Sequence, residues 1–168
     1  MSMLCRSVRW GLRATVLIMA IMAAVARADD AGATISVAHA RSLFLLRCAG
    51  CHQIDGAGHP QVGVPSMRNT LGYFPASAAG RAFLVQVPGA RNAAITDAEL
   101  AALTNWELQS FSKAQLPPDF IAYSEQEVRQ SRANPPLDIA ASRAAILRDL
   151  QEKGVLPHEA YQRLTGTH

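Results

Sequence analysis

The sequence predicts an all-α protein, and two observations carry that expectation. Apolar side chains recur at three- to four-residue spacing in three separated stretches of the chain. Four positions, Ser36, Thr96, Ser124 and Asp138, place a capping side chain where a helix would begin. The elements follow in chain order from these two patterns and from the Gly and Pro residues that interrupt them.

The N-terminus reads MSMLCRSVRWGLRATVLIMAIMAAVARADD. Arg6, Arg9 and Arg13 precede an apolar run over residues 14–25, and Ala26-Arg27-Ala28 stand before Asp29. A basic region, an apolar region and an A-x-A site predict a signal peptide over residues 1–28, removed after about Ala28 and directing the chain to the periplasm. The run is shorter than the ~20 residues that span a bilayer, so no stable membrane anchor is expected. Cys5 lies ahead of the apolar run, where it does not suggest a lipid anchor.

Removing that segment changes the electrostatics. The chain holds 16 Lys+Arg against 13 Asp+Glu; residues 1–28 contain four arginines and no acid, which leaves 12 against 13. A chain this close to neutral has no basic surface for nucleic acid or anionic lipid, so a nucleic-acid role is excluded.

The first helix is predicted over SVAHARSLFLLRCAGC, capped by Ser36, with Val37, Ala40, Phe44 and Cys48 on one face. It runs into CAGCH at residues 48–52, which holds the two cysteines left after signal removal. In an oxidising compartment such a pair is a disulfide, a catalytic dithiol or a haem attachment site. His52 completes C-x-x-C-H, in which two thiols add across haem vinyl groups and the histidine gives an axial nitrogen to iron. Residues three apart share one side of a helical turn, so both sulfurs reach one porphyrin edge. A dithiol oxidoreductase would set the pair at the start of a helix after a buried strand, whereas here it ends a helical segment. The expected cofactor is haem c with its iron, bound by Cys48, Cys51 and His52, with His52 as the metal ligand.

The stretch CAGCHQIDGAGHPQVGVPSMRN resembles the haem-binding opening of small class I c-type cytochromes, where C-x-x-C-H precedes a D-G-x-G turn and a Pro-x-Leu element. The resemblance implies that a proline carbonyl accepts the axial histidine's Nδ1–H, fixing its tautomer. Pro65, 13 residues after His52, is the matching candidate. Further on, Thr96-Asp97-Ala98-Glu99 forms a capping box, followed by Leu100, Leu103, Trp106, Leu108 and Phe111 in a helix of about fifteen residues. This resembles the family's C-terminal helix, in which a leucine and an aromatic three residues later pack on the first helix. Leu103 and Trp106 fill those places and Phe44 faces them; read alone, all three are core residues. The resemblance covers about residues 36–112.

One departure bears on the chemistry. The family usually carries an axial methionine on the loop before its last helix, here GRAFLVQVPGARNAAITD, which contains neither Met nor His. Met67 stands in the family's leucine place, against the porphyrin. The sixth position is left to Met67, to His59, to a side-chain amide, or to water or nothing; His39, His158 and His168 are weaker candidates. An open position would admit small ligands or peroxide. Arg81 or Arg91 would supply a cation for peroxide cleavage, but no distal histidine accompanies them.

Pro117 and Pro118 end the Trp106 helix. Ser124-Glu125-Gln126-Glu127 opens a short helix through a second capping box, and Asn134-Pro135-Pro136 stops it. Asp138 caps a last amphipathic helix through about Lys153, with Ile139, Ser142, Ala145, Ile146, Asp149 and Leu150 on one side. Gly154 and Pro157 set off a terminal turn. These residues are too few and too poor in large apolar side chains for a core of their own, so they are expected to wrap the first domain or dock on a partner.

The expected organisation is a signal peptide at 1–28, a cytochrome c domain at 29–112 and a helical extension at 113–168. The expected work is one-electron transfer between a periplasmic dehydrogenase-type donor and an acceptor such as an oxidase, with no catalytic residues. Two alternatives stand beside it: a haem-based ligand binder or weak peroxidase with open iron, and a permanent cytochrome subunit of a dehydrogenase complex.

Overall fold

The computed structural model describes residues 34–166. The predicted signal peptide and His168 lie outside the described residues, and Ile35 onward forms one compact unit. About 65% of the described residues are helical and no strand occurs among them, as the all-α expectation requires. One isolated β-bridge joins His59 to Val64. No helix among the described residues is long and apolar enough to cross a membrane.

Among the described residues eight α-helices follow one another: α1 Val37–Arg47, α2 Ala49–His52, α3 Ala78–Gln86, α4 Pro88–Arg91, α5 Asp97–Phe111, α6 Glu125–Ala133, α7 Ile139–Glu152 and α8 His158–Thr165. Short 3₁₀ turns cover Pro60–Val62, Leu71–Ala76 and Lys113–Gln115.

Local capping sets the helix starts. Ser36 accepts from the His39 amide at 3.1 Å at the head of α1. At α5 the box is complete: the Glu99 amide donates to Thr96 Oγ1 at 3.1 Å, and the Thr96 amide donates to Glu99 Oε2 at 2.8 Å. Asp138 accepts from the Ala141 amide at 2.9 Å at α7. At α6 only half of the expected box forms: Ser124 Oγ accepts from the Glu127 amide, while the Glu127 carboxylate turns to Arg81 in a bidentate pair at 2.8 and 2.9 Å. The charge-assisted pair outweighs the neutral cap.

Helix α5 is the axis of the core. It packs on α1, α3 and α6, and its buried residues are Leu100, Ala101, Leu103, Thr104, Glu107 and Leu108. Opposite them α1 buries Ala40, Leu43 and Phe44; Val37, expected on that face, is 74% exposed at the start of the helix. Phe44 is fully buried, its ring 5.2 Å from Trp106 and 5.1 Å from Phe111. Burying one such side chain stabilises the fold by about 1.5–3 kcal/mol, and tilted rings at these separations add roughly 0.5–1.5 kcal/mol.

The segment that reads in sequence as a single loop over 80–97 is largely helical. Ser77 caps α3 by accepting from the Gly80 amide, and Pro88 opens α4 at a position where its missing N–H costs nothing. The true loop is residues 92–96. The extension wraps the rest: α6 lies on α3 and α5, and α7 lies on α3 and the Leu71–Ala76 turn. Its second core joins Ile146, Leu147, Leu150, Leu156 and Ala160 to Phe74 and Phe83. Phe74 and Phe83 stack at 5.8 Å, so the residues after 113 take their aromatic floor from the part of the same unit that precedes them. The expected terminal turn is instead the eight-residue helix α8, whose buried Ala160 joins that second core.

Arg132 of α6 ties the 92–96 loop down. Its guanidinium donates to the carbonyls of Arg91, Ala93 and Ile95 and to Asp97 Oδ1 at 2.8 Å. Truncating it strands several partly buried acceptors, so Arg132→Ala is expected to lower unfolding free energy by about 2 kcal/mol. Urea unfolding should show a lower midpoint at an unchanged slope; an unchanged midpoint would show the loop needs no such tie.

Candidate haem site

The C-x-x-C-H residues are brought onto one turn. Cys48 ends α1, and the amides of Cys51 and His52 both donate to its carbonyl, at 3.1 and 2.9 Å. Both thiols are free; Cys48 is half-buried and Cys51 exposed. The helical run therefore breaks at Cys48 and restarts as α2, setting two sulfurs and an imidazole along a single short helix.

Beyond His52 the chain reverses. Gln53 takes a left-handed φ of 63° and its side-chain amide donates to the Gly58 carbonyl at 2.6 Å. Asp55 Oδ1 accepts from the Ala57 amide at 3.0 Å, an Asx turn within D-G-x-G, and Asp55 pairs with Arg68 across the loop. Gly56 and Gly58 sit at φ 74° and 66°. A Cβ at Gly56 would lie 2.9 Å from the Phe111 ring, and one at Gly58 would lie 2.5 Å from the Pro65 carbonyl oxygen. The turn is thus pressed between the end of α5 and the 64–67 segment, where only glycine fits. The Met67 amide closes it by donating to the Gly56 carbonyl at 2.8 Å.

This folding-back brings Pro65 to His52. Burial lowers the imidazole pKa, and the Pro65 carbonyl acts on it in the opposite sense. Nδ1 is buried and completes no well-aligned hydrogen bond. A histidine whose other nitrogen carries a ligand is oriented by an Nδ1–H bond to such an acceptor, and the Pro65 carbonyl is the group that acts on this buried nitrogen. The donor set fits haem c: two thiols three residues apart, and an imidazole with a proline carbonyl acting on its buried Nδ1. No group of three or more His, Cys, Asp or Glu able to hold a bare metal ion occurs among the described residues, and a haem iron requires none.

The sixth-ligand candidates separate. Met67 is 9% exposed, within the core that contains Phe44 and Leu103, whereas His59 is exposed in the turn. Arg81, a candidate distal cation, is spent on Glu127 and on the Tyr123 ring, 4.3 Å from its centroid. Arg91 is bonded to the Arg132 carbonyl. Two open cavities lie elsewhere, between α3 and α7 and beside Arg81, and neither touches Cys48, Cys51 or His52.

One residue at this site is not singled out by sequence motifs. Glu107 is 9% exposed, and the Cys48 thiol acts on its carboxyl, favouring the ionised form against the effect of burial. Burial pushes the Glu107 carboxyl up to about 8; burial, then the Glu107 charge and bond, push the Cys48 thiol up to about 12. The available signal is an acid seven residues after Leu100 and four after Leu103, inside an apolar stripe.

No known protein family, no curated protein and no solved structure matches this chain. The site stands on its own residues.

Gly56→Ala drives a methyl into the Phe111 ring at an unfavourable φ, and is expected to cost about 1–3 kcal/mol. A Cβ added at Gly50 would meet nothing within 4 Å, so Gly50→Ala is the matched control and should leave the thermal midpoint unchanged. Equal midpoints for both variants would contradict the packing of this turn.

Proposed function

We propose that this protein is an exported c-type cytochrome that carries single electrons in the periplasm. The observation that supports the reading above all others is the C-x-x-C-H turn with His52 Nδ1 buried against the Pro65 carbonyl. Cys48 and Cys51 would hold the cofactor through thioether links and His52 would supply a nitrogen to its iron. Haem c supplies a one-electron couple. The chain's own residues do the rest: the α1–α5 aromatic seam keeps water from the crevice, and Pro65 keeps the His52 proton on Nδ1.

The donor is a periplasmic dehydrogenase-type protein and the acceptor an oxidase or similar partner, met through the exposed edge at Gly50 and Cys51, beside Ile54, 77% exposed. Such encounters bury little surface and are short-lived. The extension folds on its own unit, which favours a free carrier over a permanent subunit. The engagement of Arg81 by Glu127 argues against peroxide chemistry, which needs an available cation.

Purified from an exporting host with intact haem maturation, the protein should keep its haem absorption in denaturant, and a Cys48→Ser, Cys51→Ser pair should lose it. Haem that washes out of the unaltered chain would sink the reading. Low-spin bands that ignore carbon monoxide are expected for the carrier; high-spin ferric bands with rapid carbon monoxide binding would transfer the function to a ligand binder.

Met67 is a packing residue in this account. Met67→Leu should therefore leave both the spectrum and the reduction potential in place, and loss of a sulfur-ligand band in the variant would make Met67 the sixth ligand instead.

A further inference from the structure

Leu137 stands wholly in solvent at 109% exposure, the highest of any large apolar side chain among the described residues. Its surroundings hold it there. Pro135 and Pro136 fix the backbone ahead of it. Gln86 of α3 donates to the Asn134 carbonyl at 2.8 Å and to the Ser131 carbonyl at 3.1 Å. Asp138, directly after it, caps α7 by accepting from the Ala141 amide at 2.9 Å.

Beside this leucine lies the groove between α3 and α7, about 280 Å³, where Ala79, Ala82 and Phe83 face Ser142, Ala145 and Ile146. Pro136, the residue before Leu137, lines its edge, and no lining side chain is ionisable. An exposed leucine and an apolar groove thus share one braced patch, and Leu137 does not fill the groove of its own chain. A knob and a hole side by side are matched by a second copy, because a two-fold axis sets each knob over the other's hole.

Charge selects the same partner. Asp138, Ala141, Ala145 and Arg148 recur at three- to four-residue spacing, so Asp138 and Arg148 share the α7 face that lines the groove through Ala145. Both are exposed, and neither forms an ion pair with any described residue. A second α7 running antiparallel sets each Asp138 toward the other's Arg148, whereas a parallel one would set like charges together. Asp149 is held by Lys153, and Glu152 lies a turn past Arg148, beyond the Asp138 end of the partner helix. We propose that this face is an interface between two copies of the chain, in which Leu137 of each enters the α3–α7 groove of the other. Cys48, Cys51 and His52 do not line the groove, so pairing leaves the attachment turn open. The patch is small against the roughly 800 Å² that each partner of a standard interface buries, so the dimer forms reversibly and with rising concentration.

Sedimentation velocity on the purified exported chain, from about 1 μM to about 1 mM, tests this. The mass should rise from one chain to two across that range, and Leu137→Asp should remain a monomer at the highest concentration. The leucine packs on nothing within its own chain, so the variant should keep the native helical signal and thermal midpoint. Arg148→Glu sets two carboxylates together and should raise the dissociation constant about tenfold. A native chain that stays a monomer throughout, or a dimer whose constant ignores Leu137→Asp, would overturn the proposal. A constant unmoved by Arg148→Glu would overturn the antiparallel arrangement.

Discussion

The packing of α1 on α5 is the contact on which everything else rests. Phe44 sits with no exposure between Trp106 and Phe111, and Phe111 in turn forms the wall that Gly56 presses against. The same seam therefore fixes the helix that ends at Cys48 and the turn that carries His52 back toward Pro65. A helix pair with an apolar interface is an ordinary core; here its C-terminal edge is also the floor of the proposed haem crevice. Shifting α5 by a fraction of a turn would move Trp106, Phe111 and Glu107 together, so packing and site cannot vary independently.

The rest of the chain serves that seam from outside. The 92–96 loop offers no methionine or histidine to bind it to an iron, and Arg132 instead holds its carbonyls from α6. Tyr123 and Asn105 lock the start of the extension to α5 through the Tyr123 amide to Asn105 Oδ1 at 2.8 Å and the Asn105 side-chain amide to the Tyr123 carbonyl at 3.0 Å. The residues after the seam thus behave as a brace around the α1–α5 pair. The cost of that brace is charge: Arg81, Arg132, Glu127 and Asp97 are all used internally, which leaves Glu107 as the buried acid with no cation beside it.

What can be read from sequence is what is decided locally. Ser36, Thr96 and Asp138 cap their helices because the partner amides lie within three residues, and the C-x-x-C-H spacing by itself puts Cys48, Cys51 and His52 on one turn. Glu127 looks like half of a capping box because its true partner, Arg81, is 46 residues away. Helix α8 gives no start signal because its first residue follows Pro157, which offers no side-chain cap. Helices α3 and α4 read as loop because Gly80 and Pro88 look like punctuation; Pro88 stands at a helix start, and Gly80 packs against Phe74. Glu107 is hidden because an acid on a helix ordinarily faces solvent, and its depth here depends on α1 arriving over it.

The claim at the centre is that Cys48 and Cys51 are thioether anchors. The intact mass of the exported, purified protein, followed by fragment masses across residues 48–52, tests it directly. The account predicts one haem added to the peptide that holds both cysteines, with neither thiol free. A peptide of unmodified mass, or one lighter by two hydrogens as a Cys48–Cys51 disulfide, would contradict it.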